Sequence, residues 1–127
     1  MIDVDKQVFP PPIPQAPPLD GPVLLKDGRP AYLRRAREED LDGLVGLLAR
    51  SSTRTLYLRF FGGVTPGPEL ARRLLPREPK PGLPTGLGLV VTVGDGAQAA
   101  IVGAGTYSPI SRREAEVAFL VQDDFQG

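Results

Sequence analysis

Residues 115–127 read A-E-V-A-F-L-V-Q-D-D-F-Q-G. The segment begins as a strand-like apolar run with one carboxylate, Glu116, set inside it. It breaks at Gln122-Asp123-Asp124 and passes into Phe125-Gln126-Gly127. A strand entering a glycine-bearing turn is the usual lead-in to a loop whose backbone N–H groups cradle phosphate. Along the strand, Glu116 alternates with Ala118 and Leu120, so the three share one face and Glu116 points into whatever groove that face lines.

The segments before this strand fit a sheet. Residues 87–93 and 99–107 read as two strands joined by Gly94-Asp95-Gly96, and with 115–121 they make an antiparallel meander. Gly103 and Gly105 alternate within the middle strand, which predicts a bulge or a close backbone approach. Residues 76–86 are proline-rich and read as a surface loop.

Three helices are expected upstream. One spans 38–50, with Glu38, Glu39 and Asp40 where the helix dipole favours negative charge, and with Leu41, Leu44, Val45 and Leu48 on one face. Gly43 and Gly46 weaken it by about 1 kcal/mol each relative to alanine, so tertiary packing must hold it. A second runs over 53–60, ends at Gly62-Gly63 and carries Leu56, Tyr57, Phe60 and Phe61. A third covers 68–75, with Leu70, Leu74 and Leu75 inward. Before them, residues 23–26 and 31–34 form a hairpin whose Asp27-Gly28 supplies the positive φ of a tight turn. Pro30 puts the start of the second strand at an edge or just outside the ladder. The result is an α+β (α/β) chain: a mixed, mostly antiparallel sheet with two to three short helices after the first strand pair. Residues 1–22, dense in proline from 10 onward, read as an extended tail, and 23–127 as the domain.

Composition narrows the chemistry. Lys plus Arg and Asp plus Glu both number 15 in 127 residues, so no polyanion-binding surface is indicated and nucleic acid is not an expected partner. There is no cysteine and no histidine, which removes disulfides, the usual zinc sites and any imidazole base. No metal is expected. Acid–base work would fall to a carboxylate, tyrosine, lysine or water. The first residues lack the pattern of a signal peptide and no run is long enough to cross a bilayer, so no membrane is expected and a cytoplasmic location is the default.

Three pieces in this order resemble the N-terminal half of the GNAT superfamily of acyl-CoA-dependent N-acyltransferases, and within it the bacterial protein-lysine acetyltransferase branch. The first is V-L-L-K-D-G-R-P-A-Y-L-R-R-A-R-E-E-D, residues 23–40. The second, S-T-R-T-L-Y-L-R-F-F-G at 52–62, is similar to that branch's serine-x-x-serine/threonine-x-tyrosine-x-arginine-phenylalanine-phenylalanine signature. The third is 115–127, similar to the family's fourth strand and the first two positions of its glutamine/arginine-x-x-glycine-x-glycine/alanine loop.

The resemblance implies transfer of an acetyl group from acetyl-CoA to an amine, a protein lysine in that branch. Such an amine must be neutral to attack, and near pH 7 a lysine is neutral in only about one part in 10³. In the family a glutamate at the position of Glu116 is often the general base, with partial burial raising its pKa. A salt bridge of Glu116 to Arg112 or Arg113 is the alternative. The resemblance also places the pantetheine arm along Phe119, Leu120 and Val121, the pyrophosphate at Gln126 and Gly127, and the acceptor beside Tyr57, Arg59 and Phe60. The other reading of that helix makes Tyr57, Phe60 and Phe61 core and Arg59 a surface or salt-bridge residue; Tyr107 has the same core reading. The chain stops two residues into the loop. The activity is therefore expected of a longer parent, with 115–121 an exposed edge and Val117 and Phe119 poorly covered. The competing functional reading is a truncated, non-catalytic half-domain or protein-binding module.

Overall fold

The computed structural model describes residues 20–78 and 80–126. Most of the proline-rich segment, and Gly127, lie outside them. Five strands form one sheet in the order β1-β2-β3-β4-β5, every neighbour antiparallel. They are β1 (Gly21–Leu24), β2 (Pro30–Arg35), β3 (Leu87–Val93), β4 (Ala100–Pro109) and β5 (Ala115–Val121). Three helices lie between β2 and β3: α1 (Leu41–Ala49), α2 (Thr53–Phe60) and α3 (Pro68–Arg72). The architecture is the expected α+β one, with a purely antiparallel sheet among the described residues rather than a mixed one. No helix among them is long and apolar enough to cross a membrane.

The hairpin turn is closed by Leu25 N–H to the Arg29 carbonyl and Gly28 N–H to the Leu25 carbonyl, both 2.9 Å, with Gly28 at φ 90°. β1 starts at Gly21, so Pro22 sits in the ladder. It can do so because β1 is an edge strand, where a missing N–H on the outer side costs nothing.

The helix expected over 38–50 is divided. Glu38–Asp40 is a single 3₁₀ turn, and the α-helix follows. Asp40 is the cause. Its carboxylate is buried and accepts from Arg34 at 2.6 and 2.8 Å and from the Arg37 N–H at 2.7 Å. It is a buried ion-pair partner as well as a favourable charge at a helix start.

One face of the sheet carries the helices. Leu44, Leu47 and Leu48 of α1 are fully buried and pack with Leu56, Phe60, Leu74, Val90 and Leu120 in one cluster. Burying each leucine contributes about 1.5–3 kcal/mol. The two glycines of α1 have a packing reason. A Cβ on Gly43 would stand 2.9 Å from Ile101 Cδ1, and one on Gly46 would stand 2.9 Å from the Arg50 guanidinium. Arg50 passes through that gap to donate to the Ile101 carbonyl and to Gln122 Oε1, both at 2.8 Å.

The other face is open at β5. Val117 and Phe119 are 55% and 71% exposed. Gly105 lies beneath the Phe119 ring, where a Cβ would be 3.1 Å from it, and Gly103 adjoins a register shift in the β3–β4 ladder. The expected bulge is present, while the close approach at Gly105 comes from the Phe119 ring and not from backbone.

Gly88 marks the tightest side-chain approach between sheet and loop. A Cβ there would meet Pro76 Cδ at 2.9 Å and Ala36 Cβ at 3.3 Å, neither able to rotate away. Gly88→Ala is expected to lose about 1–3 kcal/mol of stability by overpacking, read as a lower midpoint in urea with an unchanged slope.

Candidate functional site

The site is built on β5 and α2. Cross-strand partners share a face, so the pairs Leu120–Ala104, Ala118–Thr106 and Glu116–Ser108 run outward from the core along the helix-covered side. Leu120 is buried, Ala118 is half-buried and Glu116 is exposed at the end of the row. Glu116 thus lies on the predicted face, but it is exposed there and lacks the expected partial burial. Neither Arg112 nor Arg113 forms an ion pair with it among the described residues.

β5 is the edge of the sheet, and its hydrogen-bond phase decides which backbone groups are free. Gln122 N–H donates to the Val102 carbonyl at one end of the β4–β5 ladder, and Ile110 N–H donates to the Glu114 carbonyl at the other, both 2.9 Å. In the unbroken register between them, the residues bonded to β4 are Glu116, Ala118, Leu120 and Gln122. The N–H and C=O groups of Val117, Phe119 and Val121 therefore point away from the sheet. Val121 confirms the phase, since its outward carbonyl accepts from Gln126 Nε2 at 2.9 Å.

α2 lies beside this edge, and its N-terminus is held by the turn that follows β5. Ser52 caps the helix by accepting from the Thr55 N–H at 3.1 Å. The Ser52 N–H donates to Asp123 Oδ1 at 2.9 Å, a bond that holds the Asp123 carboxyl below the usual carboxylate range. Gln126 Nε2 also donates to Thr55 Oγ1 at 3.0 Å, while the Gln126 N–H donates to the Asp123 carbonyl at 3.2 Å. Gln126 is thus engaged in closing the turn against α2. Gly127 lies outside the described residues.

At its other end, α2 presents Arg59. The side chain is half-buried: Nη2 approaches Thr106 Oγ1 at 3.5 Å, and the buried Nε has no hydrogen-bond partner among the described residues. Arg59 and Arg73 lie over the same Phe60 ring, each guanidinium carbon 4.8 Å from its centroid. Burial lowers the Arg59 pKa, Arg73 adds repulsion, Glu116 acts the other way, and Arg77 again lowers it. Glu116 is therefore within electrostatic reach of Arg59.

The core reading of the helix holds for Phe60 alone. Phe60 is buried, whereas Tyr57 and Phe61 are 57% and 84% exposed, and Arg59 is neither core nor free surface. Phe61, not Gly62, takes the left-handed conformation that ends α2, at φ 58°. Tyr107 is exposed and lies on the open sheet face, opposite Val117.

One groove brings much of this together, lined by Thr55, Leu58, Arg59, Phe119, Leu120, Val121 and Gln126. Three of these, Phe119, Leu120 and Val121, were expected along the pantetheine arm, Gln126 at the pyrophosphate and Arg59 at the acceptor. Tyr57, Phe60 and Glu116 do not line it. Thr55, Thr106, Asp123 and Arg73 were missed. Their partners lie across the sheet or many residues away, and no local pattern announces them. A groove beside an open strand edge, with apolar walls and free backbone groups, suits a thin, amide-bearing chain.

No family model matches the chain, and no curated protein matches it. Among solved structures, the chain is similar to the GNAT domain of PAT from S. lividans, with 28% identity and a TM-score of 0.65 over 89% of this chain and 66% of that one. A variant of a cAMP-binding acyltransferase from Mycobacterium smegmatis is 27% identical over 86% of this chain and 30% of that chain, with a TM-score of 0.45. The chain thus spans a little under two thirds of the length of the first and under a third of the second. The antiparallel sheet and three helices of this chain are part of a GNAT acyltransferase fold.

Proposed function

We propose that this chain supplies the acceptor side and central edge strand of an N-acyltransferase that moves an acetyl group from acetyl-CoA to an amine, a protein lysine, with Glu116 as general base. The observation that carries the reading is the phase of β5. Its outward backbone groups at Val117, Phe119 and Val121 lie along an open edge, and Glu116 stands on the same strand beside a cationic helix end.

In this reading the pantetheine amides of acetyl-CoA pair with the outward groups of β5, with Phe119, Leu120 and Val121 lining the arm's path. The amine approaches from the side of Tyr57, Arg59 and Phe60. Glu116 takes its proton, directly or through one water, and the freed lone pair attacks the thioester carbonyl. A C–N bond forms and the C–S bond breaks; the second proton of the amine nitrogen passes to the departing CoA thiolate, and the proton held by Glu116 is released to solvent. The pyrophosphate lies beyond Val121, at the turn containing Gln126, with Gly127 the next residue in sequence. Glu116 is exposed to solvent in the free protein. Substrate binding, by excluding water, supplies the desolvation that makes it a stronger base.

Calorimetric titration with acetyl-CoA, followed by mass spectrometry of a lysine peptide incubated with both, tests the reading. A saturable heat and a peptide mass increase of one acetyl group are expected. Saturable binding without transfer at any pH would overturn the catalytic assignment, and no binding at millimolar acetyl-CoA would overturn the assignment to this chain.

A further inference from the structure

The helix-side surface next to Glu116 carries three guanidinium groups that take no part in the proton transfer. Arg59 and Arg73 share the Phe60 ring. Arg77 lines a small hollow with Ser108, the cross-strand partner of Glu116. Glu78 and Lys80 line the same hollow, and their charges offset each other. Among the described residues, none of the three arginines is in an ion pair. Arg59 also keeps a buried, unpartnered Nε.

This is an unfavourable approach for an isolated lysine side chain. Three cations against the single carboxylate of Glu116 repel an incoming ammonium group, and a half-desolvated cation is screened less than an exposed one. The same surface attracts a lysine that brings negative charge with it. A guanidinium packed on an aromatic ring is held flat with its N–H fork free for a carboxylate.

We infer that the acceptor is a lysine flanked by acidic residues, whose carboxylates dock on Arg59, Arg73 and Arg77 while Glu116 faces the amine. The cluster adjoins the Glu116 end of β5. At about 3.3 Å per residue, that end is about 17 Å from Val121, where the strand leads into the turn containing Gln126. Arg59 also lines the groove that reaches Val121 and Gln126, whereas Arg77 lies by Ser108 at the Glu116 end, so at Arg77 a flanking carboxylate, and not a cofactor phosphate at the turn, is the anion within reach.

The inference rests on the acyltransferase reading, and peptide binding without transfer separates the two. Fluorescein-labelled Gly-Asp-Lys-Asp-Gly and Gly-Asn-Lys-Asn-Gly are titrated with the full chain at low ionic strength and followed by anisotropy. The acidic peptide is expected to bind about 10-fold more tightly. In the double variant Arg73→Gln, Arg77→Gln the preference should fall below about 2-fold, as removal of two of the three cations requires. Both side chains are exposed, and an unchanged melting temperature confirms an intact fold. Equal affinity for the two peptides, no binding of the acidic one, or an undiminished preference in the double variant would each overturn the inference. So would displacement of the peptide by excess coenzyme A, which would assign the cluster to phosphate. Acid preference without acetyl transfer would count against the catalytic reading and leave this one standing.

Discussion

Glu116→Gln is expected to lower kcat for acetyl transfer to a lysine peptide by about 100- to 1,000-fold at pH 7, the range of a positioned general base. The substitution keeps shape and removes only the charge. Glu116 is exposed and makes no ion pair among the described residues, so the fold should tolerate the change. The loss should depend on pH in a way a structural role would not produce. Without a base, the rate follows the fraction of amine already neutral, which rises about 10-fold per pH unit below the lysine pKa of ~10.4. The variant should therefore recover on the alkaline side and approach the wild type near pH 10. Acetyl transfer at the wild-type rate, or a deficit that stays constant from pH 7 to 10, would remove Glu116 from the base position.

The second large effect concerns folding. Asp40→Asn is expected to cost about 3 kcal/mol, because it leaves the Arg34 guanidinium in a partly buried site without its counter-charge. Asp40 is 6% exposed and takes two hydrogen bonds from Arg34 and one from the Arg37 backbone. The Arg34 hydrogen bonds hold its carboxyl below the ordinary value, burial acts the other way, and the Arg37 N–H adds to the lowering. A carboxyl whose folded pKa is depressed contributes stability that is fully present above its unfolded pKa and lost as pH falls through its folded pKa. The gap between wild type and variant should therefore be constant between pH 5 and 7 and shrink below about pH 4, since the unfolded value is ~3.9. Urea titrations at a series of pH values give that difference directly. A gap that persists unchanged at pH 3 would mean that packing, and not the ion pair, holds this corner.

The legible parts of the chain were those with local causes. The alternation through 115–121 and 87–93, the Asp27-Gly28 turn and the leucine spacing of 41–48 each state an element within a few residues. The glycines of α1 were visible as a cost, but what they make room for was not: Ile101, and the Gln122 that Arg50 reaches, lie more than 50 residues further along the chain. Asp40 read as a dipole-favoured charge because Arg34 becomes its neighbour only once β2 has turned into α1. In the site, Glu116 and Arg59 were each visible singly. Their proximity, and the sharing of Phe60 by two arginines, depend on how α2 crosses the sheet. Fold class follows from periodicity, whereas a site built from contacts between distant segments does not.

The anchoring of α2 also bears on how the chain acquires its shape. Arg50, Ser52 and Thr55 are held by Gln122, Asp123 and Gln126, contacts that span 71 or 72 positions. Such closures come late, because a long loop must be ordered before any bond rewards it. Residues 122–126 act as a latch for a helix made much earlier. The helix can dock firmly only after the last strand has paired, so the groove and the arginine cluster should be among the last features to form during folding.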